Sequence, residues 1–378
     1  MSDTTESIVR QAVALPGGSC DMRLGRGALG RLGRELRILV GRPRVAAILA
    51  ADDVVDGLLD VISRDVTDAD FLVHVLRLPH GPACRTPEAV AACWGQLASL
   101  GVTSDDVLVA VGDVDVLSAA TFVATTWCSG TSLAMVALDA DAVVEAVTCP
   151  RGLSVAGTDQ MVGLSSHTQM LICDPDVMDL APSPSTSLAL AISVASAVGD
   201  GEAAFSNMGL RADELAAGDV HATCDQLLDA TKQRGRMVSA TSVAVRQGVT
   251  YGLTFSRALA AALPADLVAD VGHARLLAEG LRFSSRLAVG AASGDVDLVF
   301  AQDALLDHLG LSEVPCELSP DELLAAIKAE GLLRSNRYLF ALPLALGRIR
   351  LTAVPDEVMD EHLGAWCKTR ARLARKGA

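Results

Sequence analysis

Residues 232–281 read KQRGRMVSATSVAVRQGVTYGLTFSRALAAALPADLVADVGHARLLAEGL, and the spacing inside this stretch sets the expectation for the second half of the chain. Arg246, Thr250, Leu253 and Arg257 stand at offsets of four, seven and eleven, the repeat that lines one stripe of an α-helix. A helix through them carries two guanidinium groups on one face in apolar surroundings. Lys232 lies fourteen residues before Arg246, close to four helical turns, so an unbroken helix brings its ammonium to the same side. Three aligned cations point to an anion site. Three ordinary solvated charges are the alternative that spacing alone leaves open.

Around this stretch the pattern stays helical from about residue 179 to the end. SPSTSLALAISVASAV and GLRADELAAGDVHATCDQLLDATK precede it; in SPDELLAAIKAEG after it, Ser319 is followed three residues on by Glu322, a capping pair. A short strand pair is expected within 337–353. The first half alternates strands and helices: a strand-like segment over 12–24 turning at Gly17-Gly18, then RVAAILAA at 44–51, FLVHVLRL at 71–78 and DVLVAVGD at 106–113, with a helix over 87–100. Apolar strands separated by helices indicate a Rossmann-like parallel sheet with covered faces. The chain is thus read as an α/β domain over 1–178 and an all-α domain over 179–378, with a ligand expected beyond the C-terminal ends of the strands, after Val111.

Composition narrows the function. With 51% hydrophobic and 20% charged residues the 378-residue chain is well buried and long enough for two domains. A net charge of −15 argues against a nucleic-acid partner, and the basic run Lys368, Arg370, Arg372, Arg375 and Lys376 is too short to reverse that. Nine scattered cysteines without ligand spacing, no secretory signal and no apolar run of roughly 18 residues indicate reduced thiols, no membrane span and a cytoplasmic protein.

The stretch resembles the signature of dehydroquinate synthase and the related sugar phosphate cyclases. The family's GHTFGHA run appears as Gly252-Leu253-Thr254-Phe255-Ser256-Arg257-Ala258, and HGEAVAIGM as the run from His273-Ala274-Arg275 to Gly280-Leu281. The resemblance implies a dehydroquinate synthase-like fold, a nicotinamide cofactor on a Gly-Gly-Gly turn, a divalent metal on one Glu and two His, and a dimer. Several of these features are missing. The glycine turn reads Gly112-Asp113-Val114, and the cofactor-facing GExxK motif reads Gly81-Pro82-Ala83-Cys84-Arg85. The metal-binding Glu and first His fall on Ile192 and Leu253, leaving His273; the lysine of the family's AEVIK run falls on Ala195. The GKNLIGAF loop begins at Thr158-Asp159-Gln160, and the arginine that reaches a phosphate across the dimer falls on Ser129. Zinc needs at least three donors, so neither NAD nor zinc is expected; Asp52 and Gly112 are the remaining candidates for any residual cofactor contact.

What persists is cationic. Lys232 and Arg246 stand at the family's substrate-binding Lys and Arg, Glu145 and Arg151 replace an Asp and a Lys, and Arg257 and Arg275 are new. Two functions are carried forward. One is a biosynthetic enzyme of specialised, natural-product metabolism, of lyase, cyclase or isomerase type. It would move protons on a small carboxylated substrate in the interdomain cleft, with His273, Glu145 and Lys232 catalytic and Arg246, Arg257, Arg151, Arg275 and Thr250 holding substrate. The other is a catalytically silent homologue acting as a ligand-binding protein or partner subunit, in a homodimer or in a heterodimer with a related cyclase.

Overall fold

The computed structural model describes residues 8–41, 44–335 and 339–377. The chain divides into two compact units, Met1–Leu180 and Ala181–Ala378.

In the first unit β1 (Val9–Leu15) and β2 (Gly18–Leu24) form a hairpin around Gly17, whose φ of 85° the turn requires. There follow α1 (Leu32–Val40), β3 (Val45–Ala51), α2 (Asp56–Asp68), β4 (Leu72–Leu78), α3 (Pro87–Leu100), β5 (Val107–Gly112) and α4 (Val114–Thr126). The unit closes with β6 (Ser132–Ala137), α5 (Ala140–Glu145), β7 (Leu153–Val155), β8 (Thr158–Val162) and β9 (Met170–Cys173). Seven strands make one sheet in the order β1-β2-β9-β6-β5-β3-β4; only the β1–β2 pair is antiparallel, while β7 and β8 pair separately. Every residue of β3 and β5 is buried, as their unbroken apolar runs require of strands covered on both faces. The parallel, nucleotide-fold-like sheet read from the sequence is present.

The second unit contains α6 (Pro184–Asp200), α7 (Glu202–Leu210), α8 (Ala212–Ala216), α9 (Val220–Ser239), α10 (Val243–Gln247), α11 (Leu253–Ala262), α12 (Ala265–Ala292), α13 (Val296–His308) and α14 (Pro320–Arg334). After them come β10 (Phe340–Ala345), β11 (Arg348–Thr352) and α15 (Asp356–Gly377). The β10–β11 hairpin means the unit is helical but not all-α. Residues 337 and 338, where the strand pair was expected to begin, lie outside the described residues. Among the described residues no helix is long and apolar enough to cross a membrane.

The unbroken helix expected through Lys232, Arg246 and Arg257 does not form. The chain leaves α9 at Ala240, makes the short α10, and turns at Gly252, with φ 80°, before α11. The cause is a crossing of α11 and α12. A Cβ on Gly280 would stand 2.0 Å from the Gly252 carbonyl oxygen, and one on Gly252 would stand 2.8 Å from the Leu281 side chain. Only two glycines allow this approach, and it fixes a turn where the spacing argument assumed a continuous helix.

Although aromatics are scarce, three of them meet in the core of the second unit. Phe255 stacks on Phe283 at 4.0 Å between ring centroids, and Trp366 meets Phe255 edge-on at 5.3 Å. Beside them Glu279 of α12 is fully buried and accepts from Arg370 Nε and Nη2 at 2.9 and 2.8 Å, Trp366 Nε1 at 2.9 Å and the Val314 amide at 2.7 Å. Arg370 also reaches Glu313, at 2.7 Å. A buried charge without its partner is far costlier than the pair. Arg370→Ala is therefore expected to lower the unfolding free energy by about 3–5 kcal/mol, and Glu279→Met with Arg370→Met to recover most of the loss, as measured by chemical denaturation.

Candidate functional site

Parallel sheets present ligands beyond the C-terminal ends of their strands, and here those ends carry carboxylates. β5 finishes at Gly112, where a Cβ would stand 3.0 Å from that of Val116, so glycine lets α4 start directly against the strand. Asp113 then caps α4: its Oδ1 accepts from the amides of Asp115 and Val116 at 3.0 and 2.9 Å. Burial pushes the Asp113 carboxyl above its ordinary range, with the charges of Asp115 and Asp141 adding to the shift and the two amides opposing it.

Two arginines hold the neighbouring acids. Arg85, only 3% exposed, donates to Asp115 at 2.6 Å, to the Gly152 carbonyl at 2.7 Å and to Asp159 at 3.2 Å. Arg151 donates to Glu145 at 2.8 Å, Asp115 at 3.3 Å and Asp141 at 3.5 Å, while its amide donates to Ser118 Oγ at 3.0 Å. Burial works against the Arg151 charge but is outweighed by Glu145, Asp115 and Asp141, so the guanidinium stays firmly protonated. Planar forks suit this bridging of several carboxylates, which an ammonium could not copy. At the end of β6, Asp139 caps α5 through the Ala142 amide at 3.2 Å and shares a hydrogen bond with Asp141. Burial, and then the Asp141 charge, push Asp139 up to about 8. A carboxyl that keeps its proton at neutral pH thus sits among other carboxyl groups, an arrangement suited to acid–base work.

Of the residues singled out from the sequence, Glu145 and Arg151 come together here, at the same strand ends as Gly112. Asp52, beyond β3, accepts from the His80 amide at 3.1 Å and pairs with His80 Nδ1 at 2.8 Å. Asp115, Asp139, Asp141 and the role of Arg85 escaped sequence reasoning. The available signal was that β3, β5 and β9 run straight into Asp52, Asp113 and Asp174, and β6 reaches Asp139 one residue later.

In the second unit the candidates stand apart on α9 to α12. Arg246 donates to the carbonyls of Ala240 and Thr241 at 2.7 and 2.9 Å, closing the end of α9. Arg257 faces Glu330 of α14 at 3.5 Å, Arg275 holds the carbonyls of Ser312 and Glu313, and Thr250 bonds the Gln247 carbonyl. These arginines support neighbouring structure and do not form one cationic stripe, because the helix expected to align them is broken at Ala240 and again at Gly252. Lys232 is exposed, as is His273 beside the kink of α12 at Gly272.

The residues present fit neither group implied by the resemblance. The first amides of α4, which in such a fold hold a dinucleotide's pyrophosphate, already serve the Asp113 carboxylate. Ile192, Leu253 and His273 offer one metal donor between them, and among the described residues no group of three His, Cys, Asp or Glu could hold a metal ion.

A family model described as 3-dehydroquinate synthase N-terminal matches residues 75–187. The chain is 20% identical to the 3-dehydroquinate synthase of Rippkaea orientalis over 360 residues, 92% of this chain and 95% of the relative. It is 24% identical to that of a Synechococcus species over 364 residues, 93% of this chain and 95% of the relative. Among solved structures, 2-deoxy-scyllo-inosose synthase, complexed with carbaglucose-6-phosphate, NAD+ and Co2+, aligns with a TM-score of 0.80 at 16% identity, covering 94% of this chain and 99% of that one. The 2-epi-5-epi-valiolone synthase of Streptomyces hygroscopicus, with NAD+ and Zn2+ bound, aligns with a TM-score of 0.75 at 17% identity, covering 96% and 99%. At these identities the structural likeness is one of fold.

The Asp139 proton gives the cluster a pH signature. Its folded pKa of about 8 lies above the unfolded value near 3.9, so the folded chain binds more protons between the two. The stability this contributes is full below about pH 4 and is lost as pH rises through 8. Unfolding free energies measured from pH 5 to 9 are therefore expected to decline in the wild type relative to Asp139→Asn.

Proposed function

This chain belongs to the dehydroquinate synthase-like superfamily of sugar phosphate cyclases, and we propose that it is a cyclase-type biosynthetic enzyme that moves protons without nicotinamide or metal. The observation that carries the reading is the hydrogen-bonded Asp139–Asp141 carboxyl pair beside Glu145 and Arg151 at the strand ends, where burial raises Asp139. Asp139 supplies a proton to a leaving or enolising oxygen, and Glu145, paired with Arg151, takes one from carbon or hydroxyl. Donor and acceptor of this kind suit β-elimination, isomerisation or ring closure, reactions in which no electrons pass to a cofactor. Six carboxyl groups, Asp113, Asp115, Asp139, Asp141, Glu145 and Asp159, surround two arginines here, so the substrate groups that meet them are hydroxyls rather than further anions.

A second reading is favoured by Arg246, Arg257 and Arg275, which are each engaged by acceptors of the second unit. In it the chain is a catalytically silent partner, paired with itself or with a related cyclase. The two separate by product analysis of cells carrying variants in place of the wild type. Under the enzyme reading Asp139→Asn and Glu145→Gln each cut product formation by about a hundredfold or more, the usual worth of one acid or base, with His273→Ala close to wild type. Unchanged product with both carboxyl variants leaves the silent partner.

A further inference from the structure

We infer that Asp113 is a built-in occupant of the place where this fold otherwise seats a dinucleotide's pyrophosphate, and that this one side chain closes the chain to nicotinamide cofactors. The inference deepens the cofactor-independent reading above, but it stands on the turn between β5 and α4. An α-helix of thirteen residues starting directly from a parallel strand offers its first amides, and the positive end of its dipole, to an anion. Here the anion is covalently part of the chain. Asp113 Oδ1 takes the amides of Asp115 and Val116, and the Asp113 carbonyl takes that of Leu117 at 3.0 Å. The second, third and fourth amides of the helix therefore have acceptors within the chain before any ligand arrives.

The surroundings reinforce the exclusion. Asp115 and Asp141 stand close enough to raise the Asp113 carboxyl, so a pyrophosphate would enter a field of its own sign. The nearby cations are committed: Arg85 to Asp115 and Asp159, Arg151 to Glu145, Asp115 and Asp141. At the neighbouring strand end Asp52 is likewise engaged, one oxygen receiving both the amide and Nδ1 of His80. Gly112 is the part of a glycine turn that survives, and its lack of a Cβ serves the approach of Val116.

Titration calorimetry with NAD+ on the full-length protein tests this in three forms: wild type, Asp113→Gly and Asp113→Asn. Glycine is accepted at a helix N-cap at little cost, so Asp113→Gly is expected to fold with a nearly unchanged Tm while freeing the two amides. Asparagine keeps a cap on the same amides and removes only the charge. The expected result is no binding by the wild type or Asp113→Asn up to about 5 mM NAD+, and an affinity raised roughly tenfold or more in Asp113→Gly. NAD+ binding by the wild type overturns the inference. So does equal binding by the two variants, which makes charge rather than occupancy the barrier, and so does silence in a folded Asp113→Gly. None of these results touches the Asp139 and Glu145 variants, whose product yields test the proposed chemistry separately.

Discussion

A carboxylate left at the end of a parallel strand has to find donors, and the first unit is arranged around how four of them do so. Asp113 takes the amides of α4, Asp139 the amide of Ala142, Asp52 the amide and ring of His80, and the buried Asp174 the amides of Gly27, Leu29 and Asp176. Each contact ties a strand to the element that follows or neighbours it. Each also spends, on the chain itself, a donor that the same fold can offer to a ligand. The capped starts of α4 and α5 and the ties between strand ends and their neighbours are then results of one pattern of carboxylates.

The second unit follows a similar rule with the signs reversed. Its arginines are absorbed by structure: Arg246 by the end of α9, Arg275 by the carbonyls of Ser312 and Glu313, and Arg370 by Glu279. Arg275 and Glu279 are four residues apart on α12, and both grip the segment that contains Glu313 and Val314. The segment is held from two points on one helix, and Arg370 bridges it to α15 through Glu313. Aromatic packing of Phe255, Phe283 and Trp366 beside this network gives the unit its core despite a sequence with only 3% aromatic residues.

Much of the fold was legible because burial writes itself into local pattern. The apolar runs ending at Ala51 and Gly112 read as covered strands, and Thr86-Pro87 with Gly101 marks both ends of α3. The strand β9 escaped because it has only four residues, whereas β6 carries an apolar run over 133–138 as clear as that of β5 and was simply not singled out. The cationic stripe was misread for a different reason. Periodicity describes one helix at a time, whereas the turn at Gly252 is imposed by Gly280, twenty-eight residues away in sequence. In the site, Glu145 and Arg151 were visible through the family resemblance, but Asp139 was not, since its character comes from neighbours brought together only by the sheet.

Why the proton settles on Asp139 follows from counting what each acid receives. Asp115 is held by two arginines, Glu145 and Asp141 by one, and Asp113 by two amides at the positive end of a helix. Asp139 receives one amide and the oxygen of a neighbouring carboxylate, which favours a shared proton over a second charge. Asp113 adds its own field to that of Asp141 in raising Asp139. The group that caps α4 therefore also helps to keep a neutral acid in place.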